Sequence, residues 1–247
     1  MGICIGFCLR DVYKIVHAMR MQTLPLFVYL QGGFKVKIST KNLTTSSMLC
    51  AVSYILMLVS KIIPQVSGFL QFDAKDVAIA IGGFLLGTPY ALLISLVVSF
   101  LEFLSVSDTG IIGFIMNFIS TAAFCCTASI IYNRNKKISS AVAGLVAATV
   151  VLTVIMLLWN YYITPMYMKI PRSVVASMLP TVFLPFNLVK GFINSGLILI
   201  VYRPVVDTLR RAGLVEKTNT TKKKLSISVI IGLALLAIFI PIFMTLI

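Results

Sequence analysis

The sequence contains few charged residues. Only 11% of its 247 residues are charged, 59% are apolar, and the mean hydropathy is +1.03, whereas a soluble domain is about half apolar and about one quarter charged. Acidic residues are fewer than basic ones, with 7 Asp and Glu against 21 Lys and Arg. This composition excludes an ordinary soluble fold. Uncharged stretches of about 18 or more residues recur along the chain and predict an all-α integral membrane protein.

The residues that common catalytic and metal sites require are also scarce. His17 is the only histidine, none of the 5 cysteines forms a Cys-x-x-Cys pair, and no G-x-x-x-x-G-K-[ST] loop occurs. We therefore expect no metal, no cofactor and no ATP-binding loop. Because the carboxylates also lack a partner base, we do not expect an enzyme. The basic residues lie between apolar segments, so we attribute the +14 charge to membrane orientation and expect no nucleic-acid partner.

The apolar segments predict six core transmembrane helices and a seventh, C-terminal one. The stretch from Val77 to Leu101 is uncharged but contains Gly87-Thr88-Pro89, which predicts two helices joined by a tight turn. A polar loop at 65–76 precedes it. The predicted spans are about 44–63, two helices within 77–101, then 110–132, 138–165 and 180–202, followed by 225–247.

The distribution of basic residues predicts the orientation of these helices. If the N-terminus is cytoplasmic, sixteen basic residues lie inside and only Lys61, Lys75, Lys169 and Arg172 lie outside. We therefore expect a multi-pass plasma-membrane protein with a cytoplasmic N-terminus. Its predicted parts are an N-terminal cytoplasmic extension (1–41), a six-helix membrane domain (42–215), and a basic linker with the C-terminal helix (216–247). A start codon upstream of the true one is one explanation of the extension.

Several polar residues lie inside the predicted spans. An unpaired lysine in lipid costs about 3 kcal/mol or more, so Lys190 should face protein or a cavity. Asn187, Lys190 and Asn194 share one helix face, and Asn160 follows Trp159 in the fifth span. These residues either line an outward-facing cavity for a flat polar heterocycle, or only join helices while Lys190 extends to the interface. Glu102 is either a counter-ion for Lys190 or a carboxylate in the membrane interface.

Five segments carry a family resemblance. They are LQFDAKDV (70–77), FLLGTPYALLISLVVSFLEFL (84–104), SDTGIIGFIMNF (107–118), WNYYITPMYMKIPR (159–172) and LPFNLVKGFINS (184–195). In this order and spacing they resemble the riboflavin-binding substrate-capture subunits, or S components, of energy-coupling factor (ECF) transporters. The resemblance covers about residues 42–215 and leaves the C-terminal helix outside.

The resemblance implies a six-helix S-component bundle that captures riboflavin from outside the cell for ATP-driven import. The implied partners are a transmembrane coupling protein and two ATPase subunits, with riboflavin as the transported ligand. The implied substrate-binding residues are Asn187, Lys190, Asn160, Asn117, Leu70, Gln71, Phe72 and Asp73, and the implied docking residues for the coupling protein are Ser47 and Ala51.

Two places depart from the family pattern. Ala74-Lys75-Asp76 replaces an aromatic-Ser-Asp-like run, and Glu102 lies where many relatives carry Lys-Asn. Two alternatives also stay open. The cargo could be another vitamin or heterocycle, thiamine-like or purine-like, or the protein could be a membrane scaffold that transports nothing.

Overall fold

The computed structural model of the protein describes residues 27–30, 34–37, 39–67, 70–106, 110–212 and 225–246. The chain divides into two units, Met1–Leu43 and Thr44–Ile247. The described part of the first unit contains an antiparallel hairpin of β1 (Phe27–Leu30) and β2 (Phe34–Lys37), for which the sequence analysis made no prediction. The remainder of the predicted extension up to residue 26, including His17, lies outside the described residues.

The predicted all-α membrane fold is confirmed. Six helical runs of the described part are long and apolar enough to cross a membrane, namely α1, α3, α4, α5, the run from α6 into α7, and α8. The helices are α1 (Thr40–Ser60), α2 (Lys75–Leu86), α3 (Thr88–Val106), α4 (Gly110–Asn135), α5 (Ile138–Met168), α6 (Arg172–Met178), α7 (Leu184–Arg211) and α8 (Leu225–Leu246).

The predicted break between the second and third helices is confirmed. Helix α2 ends at Leu86 and α3 begins at Thr88. The residue between them, Gly87, has φ of 104°, a conformation that glycine adopts without steric cost. With 12 residues, α2 is about 18 Å long. It is therefore too short to cross a hydrocarbon core of about 30 Å by itself.

Helix α2 lies in the interior of the bundle. Every residue from Lys75 to Phe84 is buried, which explains why its apolar sequence has no polar face. Small residues bring its neighbours close: a Cβ added at Gly83 would lie 2.9 Å from the Cβ of Ala91 and 3.0 Å from Ser129. The Ser129 hydroxyl donates to the Gly83 carbonyl at 2.7 Å. Close backbone approach of this kind is typical of packed membrane helices.

The sixth span begins earlier than predicted. We expected it to start at Pro180, but helical structure begins at Arg172, and a π-helical turn, Leu179–Phe183, connects α6 to α7. In this turn the Leu184 amide donates to the Leu179 carbonyl, five residues earlier. Pro180 has no N–H to donate, and the helical run nevertheless continues through this π-helical turn into α7.

The predicted C-terminal helix is confirmed as α8, Leu225–Leu246. It packs on α7, where the rings of Phe192 and Phe239 stack with their centroids 4.5 Å apart. The predicted basic linker before this helix, residues 216–224, lies outside the described residues.

Candidate functional site

A cluster of buried charges lies where the α1–α2 connection meets α3. The Lys75 ammonium lies 2.6 Å from the Asp73 carboxylate and 2.5 Å from the Glu102 carboxylate. The Lys75 side chain is only 1% exposed. Lys61, at the end of α1, approaches Glu102 at 3.4 Å and remains partly exposed. Because the ammonium of Lys75 has two carboxylate partners, its charge is compensated despite its burial.

Asp76 extends this cluster to α4 and α7. Its carboxylate accepts hydrogen bonds from the Thr121 hydroxyl at 2.8 Å and from the Asn194 amide at 3.3 Å. The Asn194 amide also donates to the Asp73 carbonyl at 3.1 Å. We call the set Asp73, Lys75, Asp76, Glu102 and Lys190 the charge cluster.

Lys190 faces the two aspartates of this cluster. It is buried in α7, and its charge attracts the carboxylates of both Asp73 and Asp76. Burial by itself would raise the pKa of Asp73, but the ammonium groups of Lys75 and Lys190 outweigh burial and lower it. The burial of Lys190 agrees with the expectation that it faces protein or a cavity.

The structure gives Glu102 a partner that the sequence analysis did not consider. Glu102 is buried and pairs with Lys75 and Lys61. Lys75 was assigned to the outer loop, whereas it is the first residue of α2 and one of the largest fully buried side chains. Lys75 and Glu102 are also the two departures from the family pattern, and they are direct partners. That coincidence in the sequence is the signal that could have revealed the pair.

The predicted amides on α5 and α7 are both buried. The Asn187 side chain donates to the Phe183 carbonyl at 2.7 Å, in the π-helical turn before it. The Asn160 side chain donates to the Met156 carbonyl at 2.7 Å, and its oxygen accepts a bond from Thr164 at 2.8 Å. Each amide nitrogen carries two N–H groups. One N–H of each asparagine therefore remains available for a ligand.

The connection from Leu70 to Ala74 lies against the start of α7. Phe72 is buried in one apolar cluster with Phe186 and Val189, and Leu70 packs at its edge. Two further bonds attach the connection to the end of α1: Gln71 donates to the Ser60 carbonyl at 3.2 Å, and the Ser60 hydroxyl accepts from the Ala74 amide at 3.0 Å. The structure thus brings residues 70–73 to the same end of α7 as Asn187 and Lys190.

Asn117 is the predicted binding residue for which the structure shows least contact with the charge cluster. It is half-buried on α4, and the residue of α4 that bonds to the charge cluster is Thr121, one turn later. Neither Thr121 nor Asn194 was among the residues predicted to bind substrate. Their role depends on Asp76, which only the fold brings within reach of both.

The residues predicted to bind substrate are largely shielded from solvent. Phe72, Asp73, Asn160, Asn187 and Lys190 are all buried. An open groove of about 520 Å³ lies nearby, but of the predicted binding residues only Gln71 lines it. A ligand that binds the buried amides must therefore displace part of the packing around them.

The predicted docking residues lie on an exposed face of α1. Ser47 and Ala51 are exposed, as are the large apolar side chains of Met48, Val52 and Ile55. This exposed apolar face can contact lipid or another membrane helix.

Comparison with known proteins agrees with this architecture. The family "ECF transporter, substrate-specific component" matches residues 41–205. The riboflavin transporter RibU of Staphylococcus aureus (strain TCH60) is 31% identical over 178 residues, which are 69% of this chain and 93% of that protein. RibU of Streptococcus thermophilus (strain ATCC BAA-250 / LMG 18311) is 27% identical over 180 residues, covering 69% of this chain and 85% of that protein.

A solved structure described as "Structure and mechanism of the S component of a bacterial ECF transporter" is also similar. It superposes with a TM-score of 0.59 at 29% identity and covers 68% of this chain and 97% of its own. Both the sequence and the helical arrangement therefore match one group of membrane proteins. The chain belongs to the family of substrate-specific components of ECF transporters.

Proposed function

We propose that this protein captures riboflavin at the outer side of the membrane as the substrate-specific subunit of an ECF transporter. The observation that carries the proposal is its similarity to two riboflavin transporters over most of their length, at 31% and 27% identity. The proposed role is binding and delivery, with no catalytic step and no resident cofactor.

The chemistry of the buried residues supports this ligand. The pyrimidine-dione edge of riboflavin alternates donors and acceptors, and the amides of Asn187 and Asn160 can supply both. Lys190 can donate a charge-assisted hydrogen bond to a carbonyl or hydroxyl oxygen. Leu70 and Phe72, which pack beside α7, supply apolar surface for the dimethylbenzene ring. Asn117 is retained as a more distant contact on α4.

The contacts among the buried charges support a division of roles between these residues. Lys75 and Glu102 are paired with one another, so we assign them to holding the 70–74 connection and α3 together. Asp73 compensates both Lys75 and Lys190. We therefore propose that Asp73 positions Lys190 and orients the connection, in addition to any contact with the ribityl chain.

Transport requires partners, which we propose are a transmembrane coupling protein and two ATPase subunits. The exposed Ser47 and Ala51 on α1 allow the close approach of a partner helix. We also propose a plasma-membrane location with a cytoplasmic N-terminus, because this orientation leaves only four basic residues outside.

The test is riboflavin binding by the purified full-length protein, measured by quenching of Trp159, the only tryptophan. Asn187→Ala should weaken binding about 5- to 30-fold, since a lost bond to a bound ligand costs about 1–2 kcal/mol. It should barely change the thermal stability of the apo protein, because the lost bond is to its own helix.

Asn133→Ala is the matched control. The Asn133 amide bonds the Gly83 carbonyl at 3.0 Å and the Ser129 hydroxyl at 2.9 Å, so its removal should lower stability and leave the affinity nearly unchanged. Wild-type protein that is folded but shows no quenching at micromolar riboflavin would refute the proposal. Competition by thiamine or a purine would instead indicate another cargo, and loss of stability without loss of binding in Asn187→Ala would favour a scaffold.

A further inference from the structure

Helix α8 lies outside the part of the chain that matches the family, residues 41–205. It is nevertheless packed on the bundle, and most of its surface is exposed. Among its described side chains, 227–246, only Gly232 and Phe243 are buried. The packing of α8 is therefore concentrated at two positions.

At the first position α8 contacts α7. A Cβ added at Gly232 would lie 2.8 Å from the Gly196 carbonyl oxygen and 2.8 Å from Ile200. The two helix backbones are thus as close as glycine allows. Further along, Phe239 stacks on Phe192. The helices run antiparallel, so the last turns of α8 lie beside the start of α7.

At the second position α8 contacts the α1–α2 connection. The rings of Phe243 and Phe72 meet edge to face, with centroids 5.5 Å apart and planes at 60°. Both rings are buried, at 6% and 5% exposure, and share one cluster with Phe186 and Val189. Edge-to-face aromatic pairs attract one another beyond the effect of their buried area. Phe72 directly precedes Asp73 of the charge cluster.

We propose that Phe243 is a positioning residue for the substrate site: by packing on Phe72 it holds residues 70–74 against α7 and slows dissociation of the bound substrate. This inference rests on the proposed function. The connection is also attached to Ser60 at the end of α1, through Gln71 and Ala74, and to α7, where the Asn194 amide donates to the Asp73 carbonyl. Phe72 and Phe243 therefore form its attachment to α8.

Phe243 can affect substrate dissociation because the candidate site is buried. Because Asn187 and Lys190 are buried, a ligand bound to them leaves only when the packing around them opens, and Phe72 of the connection is part of that packing, beside Phe186 and Val189. Each contact that must break for residues 70–74 to move away lowers the population of the open state. A lost contact of this kind mainly changes the dissociation rate and has a smaller effect on association.

The first experiment measures the rate at which riboflavin dissociates from the full-length protein in detergent. After dilution, the recovery of flavin fluorescence reports this rate. Phe243→Ala should raise the dissociation rate about tenfold, equivalent to about 1.4 kcal/mol. Phe243→Leu, which keeps an apolar side chain without the ring, should give a smaller increase. Ile242→Ala, an exposed neighbour on the same helix, is the matched control and should leave the rate unchanged.

Gly232→Leu provides an independent variant. Its side chain would collide with Gly196 and Ile200 and move α8 away from α7 while Phe243 stays intact. It should raise the dissociation rate in the same way. A contact that only stabilises the fold would lower the melting temperature without this change in rate.

A second readout needs no ligand. In the apo protein, hydrogen exchange at the Leu70 and Ala74 amides, which bond to Val66 and Ser60, should become faster in Phe243→Ala and stay unchanged in Ile242→Ala. If wild type binds riboflavin but Phe243→Ala matches the control in both readouts, the inference is overturned. If wild type binds no riboflavin, the proposed function fails, and the exchange rates alone decide whether α8 holds the connection.

Discussion

Replacing Lys75 with methionine removes the central cation of the charge cluster while keeping a side chain of similar length. The Lys75 ammonium is within 2.6 Å of both Asp73 and Glu102. The substitution therefore leaves two buried carboxylates without their nearest partner. We expect a large loss of stability in the apo protein, because an uncompensated buried charge is costly.

The contacts that Glu102 and Asp73 keep in Lys75→Met determine how much stability is lost. Removing one partner of a buried ion pair costs about 3–5 kcal/mol. Glu102 would keep Lys61 at 3.4 Å, and Asp73 would keep its attraction to Lys190, so we expect the lower end, about 3 kcal/mol. For a protein of this size, that corresponds to a fall in melting temperature of about 6–12 °C.

Thermal unfolding followed by Trp159 fluorescence measures this change, since Trp159 packs against the main apolar cluster. Lys61→Met is the matched control: it removes a cation from the same carboxylate, but the Lys61 side chain is 33% exposed. It should cost less than about 1 kcal/mol. Adding Glu102→Gln to Lys75→Met should recover part of the loss, because one uncompensated charge is removed. Equal effects of Lys75→Met and Lys61→Met would refute the reasoning.

Two further predictions concern the packing of α7. Asn194→Ala removes the bonds to the Asp73 carbonyl and the Asp76 carboxylate, so it should lower the free energy of unfolding by about 1–3 kcal/mol; an unchanged melting curve would contradict this. Gly191→Ala places a Cβ 2.5 Å from Thr149 and should cost about 1–3 kcal/mol through overpacking. Thr149→Ala in the same chain should restore part of the lost melting temperature, and no restoration would show that the collision is not the cause.

The helices were largely predictable because lipid imposes a simple length and composition rule on a spanning segment. The break at Gly87 was predictable as well, since glycine and proline act on their own backbone. The start of the sixth span was not, because a proline normally ends a helix, and here a π-helical turn at Leu179–Phe183 carries the helix past Pro180. The sequence does not reveal whether neighbouring helices will support such a turn.

The candidate site was predictable in part. The polar face of Asn187, Lys190 and Asn194 follows from helical periodicity alone, and the structure buries all three. The partnership of Lys75 with Glu102 was missed, because these residues are 27 positions apart and each has a plausible location in a loop or at the interface. A pair of this kind is visible only when the two helices have been placed side by side.

The sequence alone determined that this chain lies in a membrane and where most of its helices run, because hydropathy and charge act locally along the chain. It also identified the family through ordered motifs. The tertiary structure decided how the charges are compensated, with Lys75 between Asp73 and Glu102 and Lys190 facing Asp73 and Asp76. It likewise brought Phe243 onto Phe72. These contacts join residues that are distant in the chain, and in a low-dielectric interior their energies depend on distances of a few ångströms, which only the packing of the helices sets.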